Sequence, residues 1–351
     1  MGEATTPLEP GIEWDGELDE DSGISPGAAR RETAQRFSAV VKDIACGTLE
    51  FPLPGAGNTA RRLTSLWSVA QEDLCLARLV EGHVDAVAIL AELRGPAPGT
   101  GERWGVWAAE PPGEGVTATR TEDGWLLNGL KQYCSGAHSC THALITATAE
   151  EGRRLFAVST DGPGCRPVKG TWQAIGMAGS DTPDVRIRDL PAVPVGGVEA
   201  YVQRPGFQHG GIGVAACWYG GALAVADTLR SAAHRRTDPH ADAHLGAVDM
   251  RLHAAGALLH QAAAEIDRDP LDSGGTARVR SLRVRAFVEE ACSATLAHVG
   301  RATGAGPLCH DLRHARNVAD LGVYLRQHHA EANLAELGGL VARPEPEEDL
   351  R

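Results

Sequence analysis

Helical periodicity on both sides of a strand-rich middle predicts an α+β chain with segregated layers. Three observations carry this. From Arg30 the run RRETAQRFSAVVKDIAC places Phe37, Val40, Val41, Ile44 and Ala45 at helical spacing, one apolar stripe. After Trp104 the period falls towards two, in short β-prone runs parted by Gly, Pro and Asp. From Gly206 to about Leu340 the chain turns helical again and rich in Ala.

Taken in order, residues 1–26 hold mostly Gly, Pro, Glu and Asp, whose burial cannot offset the entropy of ordering, so they read as a disordered acidic tail. Residues 27–103 read as a helical domain, with further helices at Thr59–Glu72 and Leu76–Leu93, stopped by the Gly and Pro of ELRGPAPGTGE. A β-domain is expected over 104–203. Within it Asn128-Gly129 has the composition of a tight hairpin turn, which would put Lys131 to Ser135 on a return strand. Residues 204–340 supply four segments long enough for a helical bundle, and 341–351 a charged tail. The glycines of HGGIGVAACWYGG follow no clear strand and sit in no alternating βα pattern, so close helix packing explains them better than a dinucleotide fingerprint.

Composition narrows the function classes. A net charge of -13 and the lack of a basic stripe argue against a nucleic-acid partner. No run looks long and apolar enough for a membrane span, and the N-terminus EWDGELDEDSG is unlike a signal peptide, so a cytoplasmic location is the default. The eight cysteines show no CxxC pair and read as reduced thiols. The fourteen histidines form no compact ligand motif, so no metal is expected.

Three blocks keep one order and spacing: WGVWAAEPPGEGV from Trp104, GWLLNGLKQYCSGAHSCTHALITA from Gly124, and IGMAGSDTPDVRIRDLPAVP from Ile175. This series resembles the middle β-domain of the acyl-CoA dehydrogenase family, and the likeness extends into the helical last third. It implies an N-terminal helical domain, a β-domain and a C-terminal four-helix bundle, with FAD between the last two. Reduced FMN is the alternative cofactor. The resemblance also implies a homo-oligomer and a small-molecule substrate, an acyl thioester in the family's usual case.

Residue by residue, the resemblance places main chain of Ala108 and Ala109 at the flavin pyrimidine edge and Tyr133 beside the ring. Cys134 and Ser135 fall where a hydroxyl and neighbouring amides meet the ring's N5 and O4 side, a contact that tunes flavin electronics. Arg236, at a helix end with Arg235 beside it, falls where the family's Arg reaches the diphosphate, a task suited to a planar guanidinium.

The chain departs from the family at the catalytic base. Its two usual positions fall at about Gly210 and Gly322, and glycine takes up no proton. Glu331 and Glu336 are the substitutes if the register slips. Flavin monooxygenases on the same fold, which use Ser and His near the ring, offer a second reading with Ser135, His209 and His310 as the catalytic set. His314, His328 and His329 also lie near the vacant positions in sequence. A catalytically degenerate flavoprotein subunit is the third reading.

Overall fold

The computed structural model describes residues 25–113, 115–233 and 238–342. The acidic tail before Ser25, the charged tail after Ala342, and both Arg235 and Arg236 fall outside them.

Three helices come first: α1 (Pro26–Ala45), α2 (Thr59–Glu72) and α3 (Leu74–Glu92). Ser25 caps α1 by accepting from Ala28 N, and Pro26 opens it, so the helix starts four residues before the apolar stripe suggests. Phe37 and Val41 of that stripe are buried, while Ala45 at its end is exposed. Asp73 caps α3 through Leu76 N.

The middle holds β1 (Trp104–Trp107), β2 (Val116–Thr121), β3 (Gly124–Lys131), β4 (His142–Ala149), β5 (Gly152–Ser159), β6 (Cys165–Pro167) and β7 (Val185–Val195). Pairing runs β1-β4-β2-β3-β7-β5, and β5 returns to β4, so five strands close into a ring with β1 and β6 attached outside it. Leu127, Ile145, Phe156, Val158 and Ile187 belong to its buried core.

The Asn128-Gly129 hairpin is overturned. β3 runs through both residues, and the turn back from β2 is at Glu122-Asp123, since Thr121 pairs with Gly124. Gly129 instead marks an irregularity in register. Its φ of 136° suits glycine, and a Cβ there would stand 2.1 Å from Gly115 O. Asn128 is held in the strand by Asp189, whose N–H it accepts and whose carboxylate it donates to. The return strand therefore ends at Lys131, and Tyr133 to Ser135 lie in a loop.

The last third contains α4 (Ala200–Gln203), α5 (Pro205–Ala233), α6 (Pro239–Arg268), α7 (Ala277–Thr303), α8 (Gly306–His310), α9 (Leu312–Tyr324) and α10 (Ala330–Val341). α5 packs on α2, α3, α6, α7 and α9, which makes it the central helix. Its glycines serve that packing. A Cβ on Gly220 would meet Trp67 O at 2.2 Å and one on Gly221 would meet Leu74 at 2.6 Å. By length and composition α5 could cross a membrane, contrary to the sequence expectation, yet 72% of that stretch is buried within the protein, as in a core helix.

One buried carboxylate ties the two layers. Asp320 of α9 accepts from Met177 N, and Cys75 Sγ approaches it at 3.7 Å. Burial pushes the Asp320 pKa up to about 6, above its ordinary unfolded value. The folded protein thus binds more protons than the unfolded chain between about pH 4 and pH 6, and stability falls as pH rises through that window. Asp320→Asn keeps an oxygen for Met177 N and removes the titration. Melting temperatures measured from pH 4 to 6 should show a smaller downward contribution with rising pH in the variant; parallel curves would refute this.

Candidate functional site

The end of β1 and the loop after β3 form a ledge. Trp107 is buried, and its indole N–H donates to Ser135 O at 2.9 Å, which fixes Ala108 and Ala109 beside the Tyr133–Ser135 loop. Backbone N–H groups of Ala108, Ala109 and Ser135 donate to no protein acceptor among the described residues. Ser135 Oγ accepts from Thr182 Oγ1 at 3.1 Å, so its own proton is free to donate. Cys134 N donates to Pro183 O and Gly136 N to Ser180 O, holding this loop against the Ser180–Pro183 turn. The SDT wording of that turn is thus a brace for the ledge. Tyr133 takes a left-handed φ of 58° and leaves 55% of its surface exposed. Free amides, a positioned hydroxyl and an open aromatic ring suit a planar heteroaromatic with acceptors along one edge.

Not every expected side chain reaches the ledge. Cys134 turns its thiol into the core, 3.3 Å from Lys131 O, and burial pushes its pKa well up, so only its backbone bears on the site. Among the described residues no hydrogen bond joins Ser135, His209 and His310 to one another. His209 is buried near the start of α5 among Arg280, Glu92, Asp272 and Arg204; burial, then Arg280, lowers its pKa to about 4. His310 is exposed on α8. Glu331 is exposed at the start of α10, and Glu336 is engaged by Arg278 at 2.6 Å.

Charge reaches the site from α3. Arg78, Gly82 and Ser135 line one small cavity of about 10 Å³, with Trp104, Gly105 and Cys140. Arg78 is paired with Glu81, both buried. Burial raises the Glu81 carboxyl above its ordinary range despite Arg78. Asp85, on the same face of α3, makes no hydrogen bond or ion pair among the described residues. A Cβ on Gly210 would stand 2.8 Å from its Oδ1. The carboxylate therefore fills space that the glycine of α5 leaves open. Arg62 is buried nearby, its pKa lowered by burial and held up by Asp85 and Glu81.

Behind Arg78 the cluster continues to Cys217, Tyr324, Trp218 and Arg285. The Arg285 guanidinium lies 4.7 Å from the Trp218 ring centroid. Tyr324 Oη and both ring nitrogens of His328 are buried without an oxygen or nitrogen partner. A roomier groove of about 440 Å³, lined by Trp104, Trp125 and His142, touches none of the ledge residues and has none of these features.

A sequence signal for this cluster exists. In LCLARLVEGHVDAVAIL only Arg78, Glu81, His83 and Asp85 interrupt the apolar run, and 78, 81 and 85 share a face.

No protein-family model matches the chain, and no curated protein matches it. Solved structures do. Butyryl-CoA dehydrogenase from Megasphaera elsdenii aligns with a TM-score of 0.73 at 16% identity, over 90% of each chain. The chain has the acyl-CoA dehydrogenase fold. Dibenzothiophene monooxygenase TdsC from Paenibacillus sp. A11-2 aligns with a TM-score of 0.71 at 18% identity, over 90% of this chain and 96% of that one. KijD3, in complex with FMN and a dTDP-linked amino-keto sugar, aligns at 0.73 and 20% identity over 90% of each chain. The fold thus houses both dehydrogenases and monooxygenases, and residues rather than architecture must separate them.

Proposed function

We propose that this protein is a flavin-dependent oxidoreductase that binds FAD, or FMN as the alternative, along the ledge of Ala108, Ala109 and Tyr133 to Ser135. The observation that carries the reading is the Ser135 hydroxyl: buried, fixed by Thr182, its proton free, and flanked by unengaged amides. Neighbours of this fold supply the cofactor class, since TdsC and KijD3 are both solved with FMN. A bound flavin would supply the two-electron oxidation. Ser135 would donate to the ring edge where negative charge gathers on reduction. Asp85 is the carboxylate free to take a substrate proton, in place of a base on α5.

The dehydrogenase type leads, acting on a polar carbonyl compound or a short thioester. His328 favours a second reading as a monooxygenase, because an imidazole with two unpartnered nitrogens is suited to hold a reactive oxygen group. Arg236 is proposed to assist the diphosphate.

Fluorescence titration with oxidised FAD, oxidised FMN and the reduced forms under anaerobic conditions tests the cofactor. Saturable binding of at least one flavin, weakened about tenfold or more in Ser135→Ala, is expected. A protein that binds neither oxidised nor reduced flavin is the scaffold of the third reading instead.

A further inference from the structure

The two halves of the ledge belong to different chain segments, and something must set their relative height. The loop from Ala108 to Gly113 reads AAEPPG, so Glu110 carries its only hydrogen-bonding side chain, and its two prolines lack an N–H. Lys131 stands four residues before Ser135 on the other half, at the end of β3. Its ammonium group is buried, 3% exposed as a residue, a placement that is costly unless the charge is paired.

The partners form a relay. Lys131 Nζ donates to Thr146 O at 3.0 Å and to Thr146 Oγ1 at 2.7 Å. Thr146 lies on β4, which pairs with β5, where Arg153 sits opposite Thr148. Arg153 donates to Glu110 Oε2 at 2.9 Å and, on its far side, to Glu199 at 2.6 Å. Glu199 sits immediately before α4. Burial pulls the Lys131 pKa down to about 8 while Glu110 opposes that shift. For Glu110 the hydrogen bonds from Thr146 and Arg153 outweigh burial and lower the carboxyl.

We propose that Glu110 and Lys131 are positioning residues that hold the Ala108–Ala109 main chain in register with Ser135 through the β4–β5 hairpin, Lys131 fastening to Thr146 on β4 and Glu110 to Arg153 on β5, and so set the shape of the flavin ledge. This rests on the flavin reading above. Neither side chain touches the flavin in this role; each acts through the backbone it fixes. Charges alternate along the chain Lys131, Glu110, Arg153, Glu199, so each link is compensated without any group buried alone.

A double-variant cycle on the full chain tests it, with FAD and FMN as the probes. Glu110→Gln, at a half-exposed position, is the variant expected to fold normally; Lys131→Met is its partner, and melting curves check both. Each single change should raise the flavin Kd about tenfold and shift the visible band of the bound flavin. The double variant should be no worse than the poorer single one, because both break one relay. Glu110→Asp, which keeps the charge, should recover part of the loss. Hydrogen exchange at Cys134 and Gly136, whose amides are bonded to Pro183 O and Ser180 O, is read in parallel, without flavin, and should speed up in both singles. Unchanged affinity and spectrum in a folded Glu110→Gln would overturn the proposal, as would strictly additive losses. If the wild-type chain binds no flavin, the function reading fails by itself; faster exchange in the variants would then keep the relay as a loop brace, and unchanged exchange would remove it too.

Discussion

Arg78→Met should destabilise the protein by about 3–5 kcal/mol, the range for breaking a buried ion pair by removing one partner. Arg78 and Glu81 are both buried, with side chains 16% and 7% exposed, and the change leaves the Glu81 carboxylate in a site where burial already disfavours its charge. Arg62 stands close enough to compensate in part, which places the loss at the lower end of the range. Urea denaturation reads it as a fall in midpoint at constant m-value. The double change to Met at 78 and 81 should recover much of the loss, because an apolar pair of similar volume replaces buried charge without leaving one unpaired. A loss under about 1 kcal/mol for Arg78→Met would mean that water enters the cluster and that the pair is solvated. A stable double variant that still folds would show in addition that the charges are kept for the site rather than for the fold.

That distinction explains what was legible in the sequence. The order of layers was readable from helical period and β-prone composition: Phe37 and Val41 bury one stripe of α1, while β4 and β5 bury continuous runs, residues 143–147 and 155–158, rather than alternate positions. Ser135 and Tyr133 were singled out through the wording KQYCSG, and both lie in the loop after β3. The Asn128-Gly129 turn was misplaced because an αL-tolerant Gly serves a bulge as well as a hairpin, and the choice was made by Gly115 O against it and by Asp189 beside Asn128. His209 and His310 were grouped with Ser135 on sequence proximity to vacant positions, whereas His209 is buried near the start of α5 and His310 is exposed on α8. Asp85 was legible only as a charge on the face it shares with Arg78 and Glu81. Its value lies in an empty space on another helix, at Gly210, and tertiary packing alone brings the two together.

The same packing decides what the site turns over, and long saturated acyl-CoA thioesters should fail as substrates. Desaturating such a chain needs a base within hydrogen-bond reach of the α-carbon, and a positioned base contributes ~10²- to 10⁴-fold. Gly210 and Gly322 supply none. Asp85 is available, but the cavity of about 10 Å³ that Ser135 lines has room for about one water and is walled by Arg78, with Glu81 and Arg62 close by, so an acyl chain entering there meets charge. Burying methylenes there would strip water from charges and return only about 0.8 kcal/mol per methylene. Anaerobic mixing of the flavin-loaded protein with butyryl-, octanoyl- and palmitoyl-CoA gives the measurement. Bleaching should be absent with the two longer chains and slow at best with butyryl-CoA, and Asp85→Asn should abolish whatever remains. Rapid bleaching by palmitoyl-CoA would show that α3 and α5 part to admit the chain, and persistence of that bleaching in Asp85→Asn would hand the proton to another carboxylate, with the Arg78–Glu81 pair the nearest place to look.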